Sequence, residues 1–129
     1  MSMKRNIITM RENGTAIIPK DIARVWMSEP ELVELFGVIA PTLRAAIRAV
    51  YKSGVLKEYE VQRYIRLEIR YNADVYAFTM IVALAFRINT FGAEQVRNAI
   101  FEKLYWRKEK TSIFFSLNIN DMAIPNYQT

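Results

Sequence analysis

Between Ser28 and Gly54 the chain is punctuated in a way that few arrangements satisfy. Ser28-Glu29-Pro30-Glu31 opens a helix: Ser28 can cap, Glu31 sits at the reciprocal third position, and Pro30 fits a first turn whose amide hydrogens lack partners anyway. Met27 and Leu32 are spaced to form a hydrophobic staple across that start. Leu32, Leu35 and Phe36 share one face, and Gly37 can take the left-handed conformation that a sharp turn requires. After Val38-Ile39-Ala40, Pro41 opens a second helix running to about Ser53, with Gly54 placed to end it. The rest of the chain must build around two helices joined by a tight turn.

On a helical wheel, Leu43, Ile47, Val50 and Tyr51 fall on one face of the second helix, while Arg44, Arg48 and Lys52 form a stripe on another. Glu58 and Glu60 read as a solvated linker. From Val61 to Ala77, Ile65, Leu67, Ile69 and Tyr71 alternate with Tyr64, Arg66, Glu68 and Arg70, the period of a half-buried strand. Asn72-Ala73-Asp74 is the expected turn, with Val75 to Ala77 returning. An earlier hairpin is expected from Asn6 to Pro19, closed by Asn13-Gly14 as a type I′ turn, then a short helix or turn from Asp21 to Trp26. Thr79 can cap a nearly all-apolar helix, Met80 to Ile88, which should be the most buried element. A longer helix begins around Ala93 with Val96, Ile100 and Leu104 four apart, and the C-terminal stretch 111–129 reads as one apolar strand and a polar tail.

The expected fold class is therefore α+β, in one domain spanning 1–129: a helix-turn-helix at 28–54, a wing hairpin at 61–77 and C-terminal helices at 79–110. With no cysteine and no histidine, disulfides, thiol chemistry and the commonest general base and zinc ligand are excluded. No HExxH, glycine-rich phosphate loop or nucleophile elbow occurs, so neither an enzyme nor a cofactor is expected. The apolar stretch Ala77 to Phe86 is too short to span a bilayer and the N-terminus has no signal-peptide core, so a cytoplasmic protein is expected.

The formal net charge is +5, unevenly distributed. From Asp21 to Ala40 one basic residue faces four acidic ones, a balance of −3; from Pro41 to Arg70 seven face three, a balance of +4. A capped helix, a glycine turn, a helix with a cationic outer face and a basic hairpin together suggest a winged helix-turn-helix that binds double-stranded DNA. Thr42, Arg44 and Arg48 are the candidates to face bases, and Lys52, Arg66, Arg70 and Asn72 the candidates to contact the phosphate backbone. The plain alternative is that the stripe is the solvated side of an amphipathic helix. Tyr59, Tyr64, Tyr71 and Tyr76 could stack on unpaired bases, but Tyr71 keeps register with the inward residues and packing is preferred.

Glu34-Leu35-Phe36-Gly37-Val38, then Tyr51-Lys52-Ser53-Gly54-Val55-Leu56, and later Phe86-Arg87-Ile88-Asn89 together resemble the RhuM family of virulence-associated proteins over about residues 28 to 104. The resemblance implies a DNA-binding module of mobile or phage-like elements, acting as a transcriptional regulator or accessory factor. Gln95 and Arg97 resemble the residues that open that family's next helix. Where the family has a polar run before its recognition helix, this chain has Ile39-Ala40-Pro41-Thr42, keeping only Thr42. That departure supports an alternative, a protein-interaction module on the same scaffold using Ile39, Ala40, Phe114 and Phe115. The apolar strand expected after residue 111 also predicts a homodimer, because an exposed hydrophobic edge invites pairing.

Overall fold

The computed structural model describes residues 4–68 and 70–119, with side chains as far as residue 105. The chain is α+β. Strand β1 (Thr9–Met10) pairs antiparallel with β2 (Ala16–Ile17), as the first hairpin requires. Its turn differs from the expected type I′. The Gly14 N–H donates to the Arg11 carbonyl at 2.9 Å, Gly14 takes φ 90°, and the Arg11 N–H donates to the Thr15 carbonyl, a three-residue loop with glycine in the left-handed position. Asn13 does not take a positive φ; its side-chain oxygen instead accepts the Thr15 N–H at 2.9 Å.

A single 3-10 turn, Ile22–Arg24, leads into β3 (Trp26–Ser28), all of whose residues are buried. Helix α1 (Glu29–Phe36) starts where the sequence places it: Glu31 accepts the Ser28 N–H at 2.8 Å in a capping box, and Gly37 ends the helix at φ 67°. Helix α2 (Ala40–Ser53) follows and stops at Gly54, φ 80°. The expected linker contains a single helical turn, α3 (Glu58–Val61), whose Val61 is buried.

Strands β4 (Gln62–Glu68) and β5 (Tyr71–Ala77) form the second hairpin, and β5 also pairs with β3, giving the antiparallel order β3-β5-β4. The reversal comes earlier than Asn72-Ala73-Asp74: Arg70 turns the chain at φ 69°, and Asn72 and Asp74 are strand residues opposite Arg66 and Tyr64. The longer β5 lets Val75 and Tyr76 be buried between two neighbouring strands, which outweighs the turn preference of Asn and Asp.

Helix α4 (Phe78–Ala85) begins two residues before the expected start and ends three before the expected end; its cap position is Ala77, and Thr79 lies exposed within the helix. Met80, Ile81, Leu84 and Ala85 are fully buried, so it is the inward element the sequence suggested. Helix α5 runs from Phe91 to Ile119. Residues 111–119, read above as a strand, therefore continue the helix, while 120–129 lie outside the described residues. No glycine or proline interrupts the sequence between Gly92 and Pro125, and extending an existing helix is far easier than nucleating a new element.

The core lies within a ring of helix contacts, α1 on α2, α2 on α4, α4 on α5 and α5 back on α1, with β2 against α5 and β3 against α1. Phe36, Leu32, Leu43, Met80, Ile81, Leu84 and Val96 fill it. The ring closes at a tight junction. The Thr90 hydroxyl donates to the Phe36 carbonyl at 2.6 Å and accepts the Ala93 N–H at 3.1 Å, joining the end of α1 to the start of α5. Gly92 lies so close to α1 that a Cβ there would collide with the Leu35 carbonyl oxygen. Arg97 donates to the carbonyls of Ala85 and Ile88 at 2.7 and 3.0 Å, satisfying the end of α4. Among the described residues, no helix is long and apolar enough to cross a membrane.

Candidate nucleic-acid interface

Helix α2 turns Leu43, Ile47 and Val50 into the core, which leaves Thr42, Arg44, Arg48 and Lys52 exposed. The four do not share one environment. Arg44 makes a two-pronged contact with Glu29 at the start of α1, Nε to Oε2 at 2.7 Å and Nη2 to Oε1 at 3.0 Å. The hydrogen bonds that Arg44 donates to the Glu29 carboxylate, and its negative charge, raise the Arg44 pKa further, so this cation is permanently charged and locally neutralised. Arg48 and Lys52, one turn apart, have no ion-pair partner among the described residues. Thr42 sits in the first turn of α2, where the chain enters from exposed Ile39.

The second hairpin is tied to α2 by side chains. The Tyr51 hydroxyl donates to the Gln62 side-chain oxygen at 2.7 Å. Gln62 is directly opposite Tyr76, so the two share one sheet face, and alternate residues along each strand extend it: Tyr64 and Arg66 on β4, Asp74 and Asn72 on β5. Arg66 and Asn72 are thus cross-strand neighbours on the face that meets α2. Burial, with the nearby Asp74, Glu29 and Glu58 carboxylates, pushes the Tyr76 phenol up to about 12, and burial raises Tyr51 as well. Both hydroxyls stay neutral in any physiological buffer.

Arg70 stands at the hairpin tip, exposed, and neither it nor Arg66 has an ion-pair partner among the described residues. The other face of the sheet is different. There Arg63 lies over the Trp26 ring, 4.5 Å from its centroid, a cation committed to packing.

The expected site residues therefore divide in three. Arg48 and Lys52 form an open pair on α2; Arg66, Asn72 and Arg70 run along the hairpin; Arg44 is drawn aside by Glu29. Among the described residues no three carboxylates gather into a cation site. No family model, curated protein or solved structure matches this chain.

The tyrosines divide: Tyr76 is buried, as packing requires, whereas Tyr59 and Tyr64 are exposed, Tyr64 at 70% on the same face as Arg66, and Tyr71 is exposed too and does not keep the inward register expected of it. Glu29, which holds Arg44, was read only as a residue of the helix start, and no local pattern reveals a pair fifteen positions apart.

Proposed function

We propose that the protein binds duplex DNA as a winged helix-turn-helix, with α2 entering the major groove and the β4–β5 hairpin lying against the neighbouring phosphate backbone. One observation carries this reading: Arg48 and Lys52, unpaired on the outer side of α2, are followed by Arg66 and Asn72 on the sheet face to which α2 is tied, with Arg70 beyond them at the tip. The β3-β5-β4 order, with α1 and α2 inserted between β3 and β4, supports the same arrangement. Arg48 is the leading base contact, Lys52, Arg66 and Arg70 contact phosphates, and the protein acts by occupancy as a regulator or accessory factor of a mobile element, the role implied by the RhuM resemblance.

Fluorescence anisotropy with a mixed duplex pool at several salt concentrations tests this. Three phosphate contacts correspond to a log–log salt slope of about −2.7; Lys52→Ala should flatten it by about 0.9, and Arg48→Ala should weaken binding, both leaving the fold intact. Absence of binding at low salt would sink the proposal. It would favour instead the protein-interaction module, for which the specific observation is Ile39, 67% exposed beside the Gly37 turn.

A further inference from the structure

One face of the second hairpin carries more than phosphate contacts require. Its buried part ends at the rung of Gln62 and Tyr76, where Tyr51 of α2 is bonded to Gln62. The next two rungs on the same face, Tyr64 opposite Asp74 and Arg66 opposite Asn72, are open. All four side chains are exposed, and none has a side-chain hydrogen bond or ion pair among the described residues. Arg66 and Asp74 are diagonal neighbours, about 7–8 Å apart at the backbone, and still do not pair. Just beyond, the register shifts between Arg66 and Glu68, a bulge that bends the edge strand out of the regular ladder and bounds the patch.

The patch measures roughly 5 Å across the strands and 7 Å along them at the backbone, the footprint of a single base. Its chemistry is mixed. Tyr64 offers a ring face, Arg66 a cation, Asn72 an amide that donates and accepts, and Asp74 a carboxylate that only accepts. A phosphate meets Arg66 here but is repelled by Asp74, and it makes no use of the Tyr64 ring, 70% exposed. A nucleobase uses all four: its face stacks on the tyrosine, an amino or ring N–H donates to Asp74, its remaining edge meets Asn72, and the adjoining phosphate lies on Arg66. In a duplex those faces and edges are taken up by stacking and pairing, so the base must be unpaired.

We propose that this two-rung face holds an unpaired base, so that the DNA the protein prefers is a duplex continued or interrupted by a single strand. The inference rests on the duplex reading above, with α2 on the paired part and the hairpin face receiving a base beyond it. Arg48 lies in the row Arg44, Arg48, Tyr51, at spacings of four and three, on the side of α2 from which Tyr51 reaches the sheet. DNA held at Arg48 therefore runs toward the Tyr64 face.

The test is fluorescence anisotropy of the full chain at low salt with a blunt duplex, the same duplex carrying a short single-stranded overhang of either polarity, and that overhang built from abasic sugars, which keeps the phosphates and removes the bases. In at least one polarity the base-bearing overhang should bind about tenfold tighter than the abasic one. Tyr64→Ala should erase that difference with an unchanged circular dichroism spectrum, and Tyr64→Phe, which keeps the ring, should retain it. A fluorescent adenine analogue in the overhang gives a second readout that needs no variant, since stacking quenches it. Equal affinity for base-bearing and abasic overhangs in both polarities, a preference that survives in Tyr64→Ala, or an unquenched analogue overturns the inference. The two readings fail separately: equal binding of every duplex removes this one alone, binding of the overhang with no affinity for the blunt duplex removes only the placement of α2 in the groove, and absence of binding to any of them removes both.

Discussion

Glu31 is held as a carboxylate from two sides. The Arg5 guanidinium donates to both its oxygens, at 2.8 and 3.0 Å, and to the Trp26 carbonyl at 2.6 Å, while the Ser28 N–H donates to Oε1. Burial on its own would raise the Glu31 pKa, but these donors outweigh it and hold it below the usual range. Because the folded value lies under the unfolded one of about 4.3, the stability it contributes is present above that pH and is lost as the pH falls through the folded value. Glu31→Gln should therefore cost about 1 kcal/mol in urea unfolding at neutral pH, with the gap to wild type closing in acid. A gap that persists below the folded pKa would mean that Glu31 acts through packing. The Ser28 and Glu31 box was legible as a spacing of three; Arg5 was not, since it arrives from 26 positions away. Glu29 supports a second prediction. Glu29→Gln releases Arg44, so duplex affinity should rise and the salt slope steepen by about 0.9; unchanged affinity would remove Arg44 from the interface.

Among the elements, α1 and α2 were readable nearly to the residue because proline and glycine mark their ends in ways that tertiary contacts do not override. The second hairpin was readable as a hairpin but not in its turn: burial of Val75 and Tyr76 fixed the register and left Arg70 in a left-handed conformation that L side chains adopt at a cost of about 1 kcal/mol. Arg70→Gly is accordingly expected to leave stability unchanged or raise it by up to about 1 kcal/mol, while weakening DNA binding. Loss of stability with full affinity would show that the tip serves the fold alone. β3 was missed because three residues carry no period, and the strand assigned after residue 111 failed because local alternation cannot register that a helix is already under way. The candidate site was legible in its charges. Its pairing was not, because Glu29 and Gln62 reach α2 only through the fold.

At the scale of the molecule, one core is enclosed by four helices, and α4 is the element they share least with solvent. Amides of Ile81 to Ala85 should exchange hydrogen only through global unfolding, while those of the first hairpin exchange by local opening; equal protection in both would contradict a core centred on α4. Open cations on α2 and the second hairpin are also separated from the exposed apolar side chains Phe86, Phe101 and Leu104 at the end of α4 and on α5. The junction at Thr90 and Gly92 has a further consequence. α5 springs from the last turn of α1 with no slack and extends for roughly 44 Å. The junction is a fulcrum and the helix a lever: each degree of tilt at its root displaces the far end by roughly 0.8 Å, so a side chain swapped at position 36, 90 or 92 is felt as ångströms at the other extremity.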